Sequence, residues 1–137
     1  MPFVPQPDVD FDGLHKELTD SILGCAIKVH KTLGPGFLEA VYENALAIEL
    51  EAHGIPYGRQ VTIDLLYEGQ AVGIHRLDML VDDTVIVELK AKDQICQADK
   101  ATTLSYLKAT RKQIALILNF GRPILEIKRL GNKDNIP

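Results

Sequence analysis

A chain of 137 residues, 46% hydrophobic and 25% charged, has the make-up of one globular domain with a core of its own. No apolar run approaches the ~20 residues of a membrane span. The opening MPFVPQPDVDFDG lacks the basic-then-apolar order of a secretion signal, so a cytoplasmic protein with no membrane contact is expected. The net charge of −4 argues mildly against a nucleic-acid binder, but it is unevenly spread. Residues 1–88 carry 5 Lys+Arg against 15 Asp+Glu, a balance of −10, and residues 89–137 carry 10 against 4, a balance of +6. A basic surface beside an acidic pocket fits that split, and so does an ordinary solvated face. Cys25 and Cys96 stand apart without metal-site spacing and read as reduced thiols.

Residues 1–12, with three prolines, read as a flexible N-terminal arm. A single α/β domain is expected over 13–131 and a frayed tail over 132–137. From 13 to 33 the apolar positions Leu14, Leu18, Ile22, Cys25, Ala26, Val29 and Leu33 recur every three or four residues, which predicts an amphipathic helix with Thr19 and Asp20 on its polar side. Gly34-Pro35-Gly36 stops it. A second helix is expected over 37–53, with Leu38, Val41, Ala45, Leu46, Ile48 and Leu50 on its apolar face. Glu39 and Tyr42 are three apart and so neighbours on that helix. Gly36, one turn earlier, would let another backbone come close.

Strands follow over 60–67 and 70–81 around a Glu68-Gly69 turn, and over 84–90. A helix is expected over 95–110, a strongly apolar central strand over 113–120, and an edge strand over 124–130. The order helix, helix, three strands, helix, two strands fits an α/β sandwich.

The stretch RLDMLVDDTVIVELK (76–90) places three charges, Asp78, Glu88 and Lys90, inside apolar strands. Buried charge is costly unless paired or bound to a metal. Alternation puts Leu77, Met79 and Val81 on one face and Val85, Val87 and Leu89 on one face of the next strand. If both triplets face the same side, the loop is the odd-numbered Asp82-Asp83-Thr84, which pairs Val81 with Val85 and Asp78 with Glu88. Side chains so paired have Cβ atoms roughly 5 Å apart. Facing carboxylates repel unless a cation lies between them. Lys90 supplies part of that charge, and Mg²⁺ or Mn²⁺ would supply more. Taken alone, the pattern also describes a surface Asp and a Glu–Lys pair on a solvated sheet face.

The segment GFLEAVY (36–42) resembles the motif that names the GxxExxY proteins. The stretches RLDMLV, VIVELKA and SYLKAT…LILNFG resemble the rest of that family, so the likeness runs over about residues 14–130. The family is placed in the PD-(D/E)XK nuclease-like superfamily, whose core is helix, three strands, helix, strand. The resemblance therefore implies that core with an added N-terminal helix and a C-terminal edge strand. It implies a Mg²⁺-dependent (or Mn²⁺-dependent) nuclease acting on nucleic acid, DNA or RNA. Asp78, Glu88, Glu39 and the Leu89 carbonyl would hold the metal. Lys90 would orient water or stabilise charge on the phosphate. Tyr42, Thr102 and Tyr106 would support the site or contact substrate, Tyr42 by bonding a carboxylate or by holding its helix to the sheet. Many relatives look to carry glutamine where this chain has Thr102. That departure keeps open a second reading, a nuclease-fold protein that binds nucleic acid or protein without turnover. A homodimer would let so small a domain embrace a duplex.

Overall fold

The computed structural model describes residues 13–132. The expected arm, 1–12, and residues 133–137 of the expected tail lie outside the described residues. Helices α1 (Lys16–Leu33) and α2 (Glu39–Ala52) come first, then strands β1 (Tyr57–Tyr67), β2 (Gln70–Val81) and β3 (Val85–Lys90). Helix α3 (Gln97–Thr110) and strands β4 (Ile114–Asn119) and β5 (Glu126–Gly131) complete the domain.

The five strands lie in the order β1-β2-β3-β4-β5. The β3–β4 pair is parallel and the others antiparallel. A parallel pair needs a crossover, and α3 provides it. Strands β3 and β4 are buried almost throughout, the mark of strands covered on both faces. On one face α1 and α2 close over Met79, Val81, Val85, Val87, Leu89 and Leu116. On the other, Leu77, Ile86, Leu107 and Ala115 form a smaller core with Val61, Leu80 and Tyr106. The layering is helix, sheet, helix, with β5 on the sheet edge as the added strand.

The β2–β3 loop is the odd one expected, since Val81 pairs with Val85 and Met79 with Val87. The alternation does not run unbroken, however. Leu77 was expected beside Met79 and Val81, but it packs in the opposite core. The same switch runs through β1, where Arg59 and Gln60 bond Glu43 of α2 while Val61 packs with Leu77. Gln60 has a left-handed φ of 50° and lies opposite the point where β2 changes face. One residue in that conformation shifts the pleat, so everything beyond it faces the other way.

Two helix faces also differ from their periodicity. Thr19, expected on the polar side of α1, is fully buried, because its hydroxyl accepts a hydrogen bond from Arg129 of β5 at 2.8 Å. On α2 the buried residues are Tyr42, Glu43, Leu46, Ala47 and Leu50, while Leu38 and Ile48 are exposed. The buried face includes Tyr42 and Glu43 because each has polar partners there. Gly36 does not admit a close backbone; a Cβ there would meet nothing, and glycine is favoured instead by its φ of 117°.

Candidate functional site

Strands β2 and β3 pair as far as Met79–Val87 and then part. Carboxylates bridge the gap that follows. The Glu88 carboxylate accepts the Asp78 amide at 3.0 Å, and the Asp78 carboxylate accepts the Leu89 amide at 2.8 Å. Each acid thus braces the other's strand. These bonds use Glu88 Oε2 and Asp78 Oδ2, which leaves the second oxygen of each for another partner. Leu89 itself is buried in the main core.

Glu39 is the first residue of α2, where the helix dipole favours a negative charge. Tyr42 sets where that helix begins. Its ring stacks on Phe120 with centroids 4.5 Å apart. Its hydroxyl donates to the Gly34 carbonyl at 2.6 Å and accepts the Phe37 amide at 3.2 Å. Tyr42 therefore holds the α1–α2 turn and the helix against the sheet, and among the described residues it bonds no carboxylate.

Electrostatics tie the charged residues together. Burial raises the Glu39 pKa, with Asp78 adding to the rise and Lys90 opposing it. Burial also raises Asp78, against the pull of the Leu89 amide, with Glu43 pushing it further and Lys90 pulling it back. Glu88 is pushed up to about 8, by burial first and then by Asp78, and Glu39 adds to it while Lys90 opposes. Asp78 thus acts on both Glu39 and Glu88, Glu39 acts on Glu88, and Lys90 acts on all three. Burial is the main reason that the acids are reluctant to ionise, and the nearby carboxylates add to it.

Residues 16–130 match the family model of the PD-(D/E)XK nuclease superfamily. This chain belongs to that superfamily. Comparison with curated proteins gave no match. Members of the PD-(D/E)XK superfamily generally use divalent metals, and the donors here suit one: carboxylate oxygens, mutually repelling, with lone pairs to spare. Among the described residues, no three His, Cys, Asp or Glu side chains form a ready-made metal cluster. Asp78 and Glu88 are joined through each other's backbone amides, and Glu39 acts on Glu88 electrostatically. No described helix is long and apolar enough to cross a membrane.

On the α3 side, Tyr106, which the resemblance implied as a supporting residue, meets His75 of β2, which sequence reasoning passed over. His75 and Tyr106 stack with centroids 4.1 Å apart, and the Tyr106 hydroxyl lies 3.3 Å from His75 Nδ1. Burial raises the Tyr106 pKa, with Glu88 and Asp78 adding to it. Thr102 is exposed one turn earlier on α3 and makes no described hydrogen bond to them. Glu43 was also missed. It sits one helical turn after Glu39, accepts from Arg59 at 2.9 Å and from Gln60 at 3.0 Å, and acts on Asp78. Its spacing of four from Glu39 was the available signal. Asp99, on α3, lies 3.9 Å from the Lys90 ammonium and 2.9 Å from that of Lys92.

Proposed function

We propose that this protein hydrolyses phosphodiester bonds in nucleic acid with Mg²⁺ or Mn²⁺ as cofactor. The observation that carries the proposal is the pair of crossed bonds by which the Asp78 and Glu88 carboxylates hold each other's strand, with Glu39 and Lys90 close enough to act on Glu88. Asp78, Glu88, the Leu89 carbonyl and Glu39 would hold the ion. When bound, it supplies Lewis acidity that lowers the pKa of water and offsets charge gathering on the phosphate. Asp78 and Glu88 keep their donor oxygens in place by bonding backbone amides of the opposite strand, so little reorganisation is needed on loading. Lys90, fixed at the end of β3 where its carbonyl accepts the Phe120 amide at 2.8 Å, directs an ammonium at the developing phosphate charge. Tyr106 and His75 wall the α3 side.

The test is cleavage of labelled DNA and RNA oligonucleotides. Products that depend on Mg²⁺ or Mn²⁺, vanish in EDTA and vanish in Asp78→Asn with unchanged melting support the proposal; cleavage that persists in EDTA sinks it. Asn is the better choice than Ala because its carbonyl can still accept the Leu89 amide.

A second reading, binding without turnover, is favoured by the exposed, short Thr102 and by the Asp99 carboxylate beside Lys90. It predicts retained oligonucleotide, weakening as salt rises, and no products.

A further inference from the structure

The loop that follows β3 is fixed more firmly than a surface connection requires. Asn119, fully buried at the end of β4, accepts the Lys92 amide at 3.0 Å and donates to the Lys92 carbonyl at 3.0 Å. The same Asn119 amide donates to Glu126, which accepts the Ile95 amide at 3.0 Å, so the far end of the loop is held as well. Gly121 has the Lys92 backbone against it. A Cβ there would collide with the Lys92 amide nitrogen and carbonyl, neither of which can swing aside. The stretch LILNFG, which no proposed chemical step uses, thus forms the seat of one residue.

The Lys92 side chain is fixed too. Its ammonium donates to Asp99 at 2.9 Å, and Asp99 stays ionised, its pKa drawn down to about 2 against burial by the Cys96 amide and Lys92. Asp99 also caps α3 by accepting the Cys96 amide at 3.0 Å, which is a folding role of its own. An exposed ion pair, however, contributes little to stability and costs side-chain entropy, so the cap does not account for Lys92. Asp99 faces two lysines with one carboxylate, which leaves an excess positive charge beside the acids. An ammonium has three donors, and on Lys92 Asp99 takes one and the Cys96 sulfur, at 3.7 Å, a second, which leaves a third. Lys92 also acts on Glu39, as Lys90 does. A second cation therefore stands at the rim of the acidic site, preorganised and open to solvent.

We propose that Lys92 binds the backbone phosphate next to the one that the acids address, with Asp99, Asn119 and Gly121 as its positioning residues. The inference rests on the nuclease-like reading of the site. It makes the ligand a polynucleotide with consecutive phosphodiesters rather than a lone phosphate ester.

The test uses the full chain carrying Asp78→Asn and a short fluorescent oligonucleotide, with affinity measured across a salt series. Lys92→Gln in that background weakens binding at least about tenfold, the size of one charge-assisted hydrogen bond, and lowers the salt slope by about one. Lys128→Gln, an exposed lysine of β5, does neither. In the chain with Asp78 intact, Lys92→Gln lowers hydrolysis of bis(p-nitrophenyl) phosphate, which has a single diester, by a smaller factor than it weakens oligonucleotide binding. If Lys92→Gln and Lys128→Gln behave alike, or if no oligonucleotide binds, the inference is overturned. Metal-dependent hydrolysis of the ester alongside Lys92-independent binding refutes the inference and leaves the nuclease reading standing. Lys92-dependent binding with neither substrate cleaved does the reverse.

Discussion

Glu88 should make the metal-free protein less stable as pH rises. Its carboxyl ordinarily ionises at 4.5 and in the folded protein at about 8. Below about 4.5 it is protonated in folded and unfolded chains alike, and its contribution to stability is complete. As pH rises further the unfolded chain ionises first while the folded chain keeps its proton, so stability falls until about 8 and then levels off. Each tenfold difference in acidity is worth about 1.4 kcal/mol, which sets a ceiling of roughly 4–5 kcal/mol. Because Asp78 shares the titration, a fall of a few kcal/mol is the working expectation. Urea denaturation of the metal-free chain from about pH 5 to about pH 8 measures it. Glu88→Gln retains an acceptor for the Asp78 amide but cannot ionise. Its stability should therefore change less over that window, and at about pH 8 it should exceed the parent protein. Added Mg²⁺ should restore the parent and leave Glu88→Gln little changed. Parallel curves for the two proteins would refute the reasoning.

Other perturbations follow from the same contacts. Tyr42→Phe keeps the stack on Phe120 but removes the hydrogen bonds to Gly34 and Phe37, and should cost about 1–3 kcal/mol in urea denaturation. Leu77→Ala should cost about 2–5 kcal/mol, the toll of a cavity in the core under α3, even though simple alternation puts Leu77 on the other face. Thr19→Val removes a buried acceptor for Arg129 and should destabilise by about 1–3 kcal/mol, whereas a Thr19 on a solvated face would tolerate it.

Much of the fold is legible in the sequence because it depends on strong, local signals. The apolar runs of β3 and β4, the Glu68-Gly69 turn and the odd β2–β3 loop all give the expected elements. The positions of Asp78 and Glu88 are legible as an anomaly, charges in strands that read as core. What escapes is set by distant partners or by the backbone. Nothing in the sequence marks Gln60 as left-handed, so the change of face at Leu77 is hidden. Thr19 is buried by an arginine 110 positions later. On α2 the burial of Tyr42 and Glu43 depends on Gly34, Phe120, Arg59 and Gln60, none of which shows in helical periodicity. The same applies to Lys92, whose seat is built by residues 119 and 121 and becomes visible only when β4 lies beside β3.

The central claim is that the acids of β2, β3 and α2 form one site for a divalent cation. Calorimetric titration of Mn²⁺ into the unaltered protein and into Asp78→Asn tests it most directly. The account predicts saturable binding by the unaltered protein, weakened at least about tenfold by the substitution, with melting unchanged. Equal affinity in the two proteins, or no binding by either, would contradict it.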